Sequence, residues 1–148
     1  MRPTLTLCLA LLAAAPVLQA AEPAATVPAS QPVARITGAE LQARVDQKDA
    51  GLVVLDVRTP AEFAAGHVPG ARNIPHDQVA ARLDELAASR DQTVVLYCRT
   101  GRRSGLAAEV LRSAGFGRLL QLEGDYPGWE AARRPVERAS GPAAPPSN

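Results

Sequence analysis

Cys98 lies in a setting that favours nucleophilic chemistry. It follows an apolar run that ends at Tyr97, and the next five residues contain three arginines and a glycine, in the order Arg99-Thr100-Gly101-Arg102-Arg103. A tight loop that contains glycine can point successive backbone N–H groups inward and bind an anion. Neighbouring guanidinium groups favour the thiolate, which is the reactive form of cysteine. The sequence therefore predicts a reactive cysteine in an anion-binding loop.

The segments on either side of Cys98 predict where this loop lies. The run 93–97 is apolar from Val94 onward, which is typical of a strand buried on both faces. A helix is predicted from Ser104 to Ala114, with Gly115 as its stop. The N-terminus of that helix adds partial positive charge beside the sulfur. We expect the loop at the carboxyl edge of a parallel sheet, where α/β proteins form their sites.

Strand and helix signals alternate through residues 33–138, which we predict to form one domain. Strands are predicted to end at Ile36 and to cover residues 52–55, 71–74, 93–97 and 118–122. Helices are predicted to begin at the capping boxes of Thr37 and Thr59, to carry Val79, Leu83 and Leu86, and to cover residues 104–114 and 126–133. This order predicts an α/β fold, a doubly wound parallel sheet of about five strands flanked by helices.

The first twenty residues are typical of a secretory signal peptide. Arg2 gives a basic start, residues 5–15 are apolar, and Ala20 offers a small residue at the cleavage site. The apolar run is shorter than the roughly 17–25 residues that span a bilayer. We expect residues 1–20 to be removed, and the mature protein to be secreted, most simply to the periplasm. Cys98 is then its only cysteine.

Composition sets the limits of the folded part and of its partners. Residues 21–32 are rich in Ala and Pro and predict a linker, and residues 139–148 predict a disordered tail. Sixteen basic against fifteen acidic residues leave a net charge of +1, so we expect no nucleic-acid partner and no membrane contact after cleavage. We find no metal-ligand cluster, nucleotide loop or flavin fingerprint, and expect neither metal nor cofactor.

Three runs resemble the signatures of rhodanese-homology domains, in that family's order. The run Tyr97–Ser104 is similar to the six-residue active loop. Residues 55–63, followed by 66–71 and 73–75, are similar to the N-terminal signature, and residues 122–124 with Trp129 and 135–136 to the C-terminal one. The resemblance covers nearly all of residues 33–138, in the single-domain branch. Two departures lie near the C-terminal end: Asp125 replaces a second glycine, and Arg133-Arg134 replaces a glycine-containing turn.

The resemblance implies a thiosulfate sulfurtransferase that works in two steps through a persulfide on Cys98. Its partners would be a small anionic sulfur donor and a thiol or cyanide acceptor. The resemblance implies a substrate-binding loop made of Arg99, Thr100, Gly101, Arg102, Arg103 and Ser104. Arg102 and Arg103 are the best candidates for contacting the anion. Asp56 and Arg58 are expected to support the loop, with Arg58 paired to Glu62 or another carboxylate.

The sequence allows two alternative functions. Cysteine-dependent phosphatases and arsenate reductases also use a cysteine before a helix, but with five residues between cysteine and arginine. Here four residues separate Cys98 from Arg103, and a smaller loop fits a sulfur atom better than a tetrahedral oxyanion. The other alternative is a module that binds a protein partner or carries sulfur to it.

Overall fold

A computed structural model describes residues 32–138, and five parallel strands form a single sheet within them. The strands are β1 (Ala34–Ile36), β2 (Leu52–Asp56), β3 (Arg72–Asn73), β4 (Thr93–Tyr97) and β5 (Leu119–Leu122). Their spatial order is β1-β5-β4-β2-β3, and every pairing is parallel. The predicted fold class is confirmed. The predicted signal peptide and tail, and the linker up to residue 31, lie outside the described residues.

Four α-helices and one 3-10 helix lie between and after the strands of this part of the chain. The α-helices are α1 (Gly38–Asp46), α2 (Pro60–Ala65), α3 (Arg102–Ser113) and α4 (Asp125–Ala131). The segment with Val79, Leu83 and Leu86 at helical spacing forms the 3-10 helix, Ala80–Ser89, whose backbone leaves helical geometry at Arg82. None of the helices described here is long and apolar enough to cross a bilayer.

Both capping boxes are present at the helices they predicted. Thr37 Oγ1 accepts a hydrogen bond from the Glu40 N–H, and the Glu40 carboxylate accepts one from the Thr37 N–H at 2.9 Å. Thr59 and Glu62 repeat this arrangement at the start of α2. Each box pairs N–H groups that the first helical turn leaves without partners. The local sequence therefore fixes where α1 and α2 begin.

The core lies on both faces of the sheet. Alternate residues of β4 point to opposite sides: Val94 and Leu96 belong to the cluster that includes Leu111 of α3. Val95 and Tyr97 belong to the cluster that includes Trp129 of α4. A central strand covered on both faces must be apolar at every position, which explains the continuous apolar run. In the β2–β4 register, Asp56 is paired with Tyr97, so β2 ends beside the residue that precedes Cys98.

Candidate active site

Cys98 follows β4 directly and is fully buried. Its Sγ accepts a hydrogen bond from the Gly101 backbone N–H at 3.2 Å, and the Ser104 hydroxyl oxygen lies 3.6 Å away. Gly101 has a φ of 83°, a left-handed conformation that glycine adopts without strain. Helix α3 begins at Arg102, two residues before the predicted start, so its N-terminus adjoins the sulfur. This geometry stabilises negative charge on Sγ.

We expect Gly101→Ala to disturb this loop for two reasons. The left-handed backbone at position 101 is strained for alanine, and there is no room for a Cβ atom. An added Cβ would lie 2.9 Å from Gln121 Nε2 and 3.3 Å from Asp125 Oδ2. Gly115, with a φ of 90°, has nothing within 4 Å of an added Cβ. Gly115→Ala is thus the matched control, since it adds only left-handed strain of about 1–2 kcal/mol.

The measurement is the rate at which iodoacetamide alkylates Cys98 in the folded protein. We expect Gly101→Ala to slow alkylation about tenfold or more, since a displaced N–H donor no longer stabilises the thiolate. Gly115→Ala should react like the wild type. Equal alkylation rates in the two variants would show that the Gly101 geometry does not control the sulfur.

The three arginines of the loop have different surroundings. Arg99 and Arg102 are exposed, whereas Arg103 is half-buried and donates hydrogen bonds of 2.8 and 3.0 Å to the two carboxylate oxygens of Glu62. These bonds lower the pKa of Glu62 to about 2. Glu62 in turn raises the pKa of the Arg103 guanidinium, with a smaller contribution from Cys98. A substrate anion would therefore meet an Arg103 whose charge is already balanced by a carboxylate.

The Glu62–Arg103 pair should make stability depend on pH in the acidic range. Folding lowers the pKa of Glu62 from 4.5 to about 2. The carboxylate therefore stabilises the fold fully above pH 4.5, and this contribution is lost as the pH falls to about 2. Glu62→Gln removes the titrating group. In denaturant unfolding, the wild type should lose free energy of unfolding relative to Glu62→Gln across this range; parallel pH profiles would contradict the pairing.

Asp56 and Arg58 form a buried ion pair next to the loop. The Arg58 guanidinium donates to both Asp56 oxygens, at 2.6 Å for the shortest bond, and donates a further bond to the Gly66 carbonyl at 2.7 Å. Its carbon Cζ lies 3.8 Å from the centre of the Tyr126 ring. Of the two expected partners, Arg58 thus has another carboxylate and not Glu62. The pair joins the end of β2 to the start of α4.

Two site residues were missed by the sequence analysis. Asp125, which stands where the family has a second glycine, accepts a hydrogen bond of 2.8 Å on its Oδ1 from the Cys98 backbone N–H. The Ser104 hydroxyl lies 3.4 Å from the same oxygen. Gln121 Nε2 donates to the Gly101 carbonyl at 3.0 Å and to Ser104 Oγ at 2.7 Å. Asp125 belongs to α4 and Gln121 to β5. Only the order of the strands in the sheet brings these two residues to the loop.

The comparison with protein families decides where this chain belongs. The model of the rhodanese-like domain matches residues 37–132. The chain is a member of that family. A sulfurtransferase of Allochromatium vinosum is 39% identical over 100 residues, covering 68% of this chain and 90% of that protein. The thiosulfate sulfurtransferase GlpE of Pseudomonas putida is 36% identical over 97 residues, covering 66% and 86%.

Solved structures agree with the rhodanese-like fold. A protein of unknown function from Rhodopseudomonas palustris, described as a possible tyrosine phosphatase, superposes with a TM-score of 0.64 at 26% identity. The alignment covers 71% of this chain and 85% of that one. The fold is thus shared with a protein whose description names a different reaction, so the chemistry must be argued from the site itself.

Three ring-bearing side chains outside the loop have other surroundings in this rhodanese-like domain. His67 Nδ1 lies 2.8 Å from the Phe63 carbonyl oxygen. Trp129 is buried and donates to the Pro135 carbonyl at 2.8 Å, and Tyr126 is buried in the same cluster. Within residues 32–138, no three His, Cys, Asp or Glu side chains are grouped to hold a metal ion.

Proposed function

We propose that this protein is a sulfurtransferase that moves sulfane sulfur from thiosulfate, or a related donor, to cyanide or a thiol through a persulfide on Cys98. The observation that supports this most is the buried Sγ, which accepts the Gly101 N–H at the N-terminus of α3. This arrangement of hydrogen-bond donor and helix N-terminus stabilises a thiolate. It would also stabilise the terminal sulfur of a persulfide, which lies one bond beyond Sγ. Membership of the rhodanese-like family and the names of the two relatives support the same reaction.

In the first step, the Cys98 thiolate attacks the outer sulfur of thiosulfate. A bond forms between Sγ and that sulfur, the sulfur–sulfur bond of thiosulfate breaks, and its electron pair leaves with sulfite. The terminal sulfur of the new persulfide carries the negative charge. No proton moves and no external oxidant or reductant is required.

In the second step, the acceptor attacks the terminal persulfide sulfur. With cyanide, a carbon–sulfur bond forms and the sulfur–sulfur bond of the persulfide breaks. Its electron pair returns to Cys98 Sγ as the thiolate, and thiocyanate leaves. With a thiolate acceptor, the product is the acceptor's persulfide. The Gly101 N–H again contacts Sγ, so the loop serves both halves of the cycle.

The phosphatase alternative requires a loop arginine that grips a tetrahedral anion. Arg103, the arginine at the corresponding end of the loop, donates two hydrogen bonds to Glu62. The loop is also compact, since the Gly101 N–H already contacts Sγ. Both features favour binding of a sulfur atom by the loop and disfavour binding of a tetrahedral oxyanion.

The acceptor and the compartment also belong to this proposal. Arg99 and Arg102 are exposed residues of the loop and suit an anionic donor, and a thiol on a small molecule or on a protein would serve as acceptor. We propose that residues 1–20 direct export. Recovery from the periplasm of a chain that begins at Ala21 would support export, and recovery of the full chain from the cytoplasm alone would contradict it.

The test of the reaction is thiocyanate formation from thiosulfate and cyanide. Initial rates at several concentrations of both substrates should give the parallel double-reciprocal lines of a ping-pong mechanism, because sulfite leaves before cyanide reacts. Release of phosphate from an aryl phosphate, without thiocyanate formation, would replace this proposal with the phosphatase reaction.

A further inference from the structure

The buried charges around Cys98 differ from those that the sequence indicates. Three arginines in five residues predict a strongly positive site, yet Arg103 is balanced by Glu62 and Arg58 by Asp56. The other two arginines of the loop are exposed, where water screens their charge. The net charge around Cys98 therefore depends on whether a further charged side chain is buried there.

Asp125 is such a charge. Asp125 is only 8% exposed. Its carboxylate forms no ion pair with any residue of the range 32–138. One carboxylate oxygen accepts the Cys98 N–H, and the other lies 3.3 Å from where a Cβ of Gly101 would stand. Gly101 also donates its N–H to Sγ, in the loop that would hold the substrate. The Asp125 carboxylate therefore contacts the same loop from the side of the Cys98 backbone.

We propose that Asp125 is a specificity-determining residue that disfavours dianionic sulfur donors relative to monoanionic ones. The inference rests on the proposed sulfurtransferase reaction. A fixed negative charge behind the loop repels a bound anion in proportion to the anion's charge. Thiosulfate carries two negative charges, whereas an organic thiosulfonate has a carbon substituent in place of one charged oxygen and carries one. Asp125 thus selects donors by charge.

The chemistry of the two donors is otherwise matched. With methanethiosulfonate, Cys98 Sγ bonds to the terminal sulfur, the sulfur–sulfur bond breaks, and methanesulfinate leaves with the electron pair. With thiosulfate, the leaving group is sulfite. Both reactions produce the same persulfide on Cys98, so any difference in their response to a mutation arises in binding the donor or in the departure of its leaving group.

The experiment compares kcat/KM for thiosulfate and for methanethiosulfonate in the wild type, Asp125→Asn and Glu123→Gln. Asparagine keeps an oxygen for the Cys98 N–H and tolerates the left-handed φ of 52° at this position. Glu123 is exposed in the same turn, so Glu123→Gln removes an equal charge that water screens. We expect Asp125→Asn to raise the thiosulfate-to-methanethiosulfonate ratio at least about threefold, and Glu123→Gln to leave it unchanged.

A readout without turnover separates this inference from the proposed function. Thiosulfate should bind Cys98→Ser protein at least about threefold more tightly when Asp125→Asn is added. Sulfur transfer with an unchanged donor ratio and unchanged thiosulfate binding would overturn the inference alone. Tighter binding without sulfur transfer in any form would overturn the proposed function alone. A fall in both donors' rates at a constant ratio would show that Asp125 merely holds the loop in place.

Discussion

Replacing Cys98 with serine is expected to lower sulfur transfer by more than about 1000-fold. The hydroxyl of serine is not ionised near neutral pH, and no second cysteine is present in residues 32–138 to replace the lost thiolate. The smaller oxygen can still accept the Gly101 N–H, so the loop and the fold should remain. Thiocyanate formation is the measurement, with the thermal unfolding midpoint as the check on folding.

A suitable control for Cys98→Ser is Ser113→Ala at the end of α3. Ser113 is exposed and donates a hydrogen bond to the Glu109 carbonyl at 2.9 Å, far from the loop in sequence. Its loss should leave the transfer rate unchanged. Residual transfer by Cys98→Ser within tenfold of the wild type would contradict a cysteine persulfide mechanism.

Breaking the Asp56–Arg58 pair is expected to give the largest loss of stability. Asp56 is fully buried and the Arg58 side chain is 5% exposed, so Asp56→Ala would leave the guanidinium buried without its carboxylate. Removing one partner of a buried pair costs about 3–5 kcal/mol. The free energy of unfolding in denaturant should fall by this amount, and Cys98 should react more slowly because its supporting strand end is disturbed.

The control for Asp56→Ala is Glu85→Ala, which breaks the exposed pair with Arg82. Glu85 accepts a hydrogen bond of 2.6 Å, as short as the buried one, yet its side chain is 44% exposed. Exposed pairs contribute about 0–1 kcal/mol. A double variant, Asp56→Leu with Arg58→Met, should be more stable than Asp56→Ala because neither charge remains buried. Equal losses for Asp56→Ala and Glu85→Ala would show that burial does not determine the value of the pair.

The fold was predictable because its signals are local. Continuous apolar runs marked the two strands covered on both faces, and the capping boxes of Thr37 and Thr59 marked the starts of α1 and α2. The start of α3 was predicted two residues late, because Gly101 permits a left-handed turn that lets the helix begin at Arg102. The 3-10 geometry of Ala80–Ser89 was not predicted either, since apolar spacing does not distinguish it from an α-helix.

The candidate site was predictable only where its residues are close in sequence. The loop after Cys98 could be read directly, whereas the expected partner of Arg58 was Glu62 or another carboxylate, and the observed partner is Asp56, two residues away. Glu62 and Arg103 are 41 residues apart, and Asp125 is 27 residues from Cys98. Such contacts depend on the order of the strands in the sheet, which no local pattern encodes. The loop arginines alone therefore did not predict that a carboxylate balances Arg103, and the location of the site stays a prediction.

A persulfide on Cys98 can be detected directly from the intact mass of the protein after incubation with thiosulfate under non-reducing conditions. We expect a species heavier by one sulfur atom, which returns to the original mass on addition of cyanide and does not form in Cys98→Ser. An unchanged mass in the wild type, or the same added sulfur in Cys98→Ser, would contradict a persulfide on Cys98 and with it the proposed sulfur transfer.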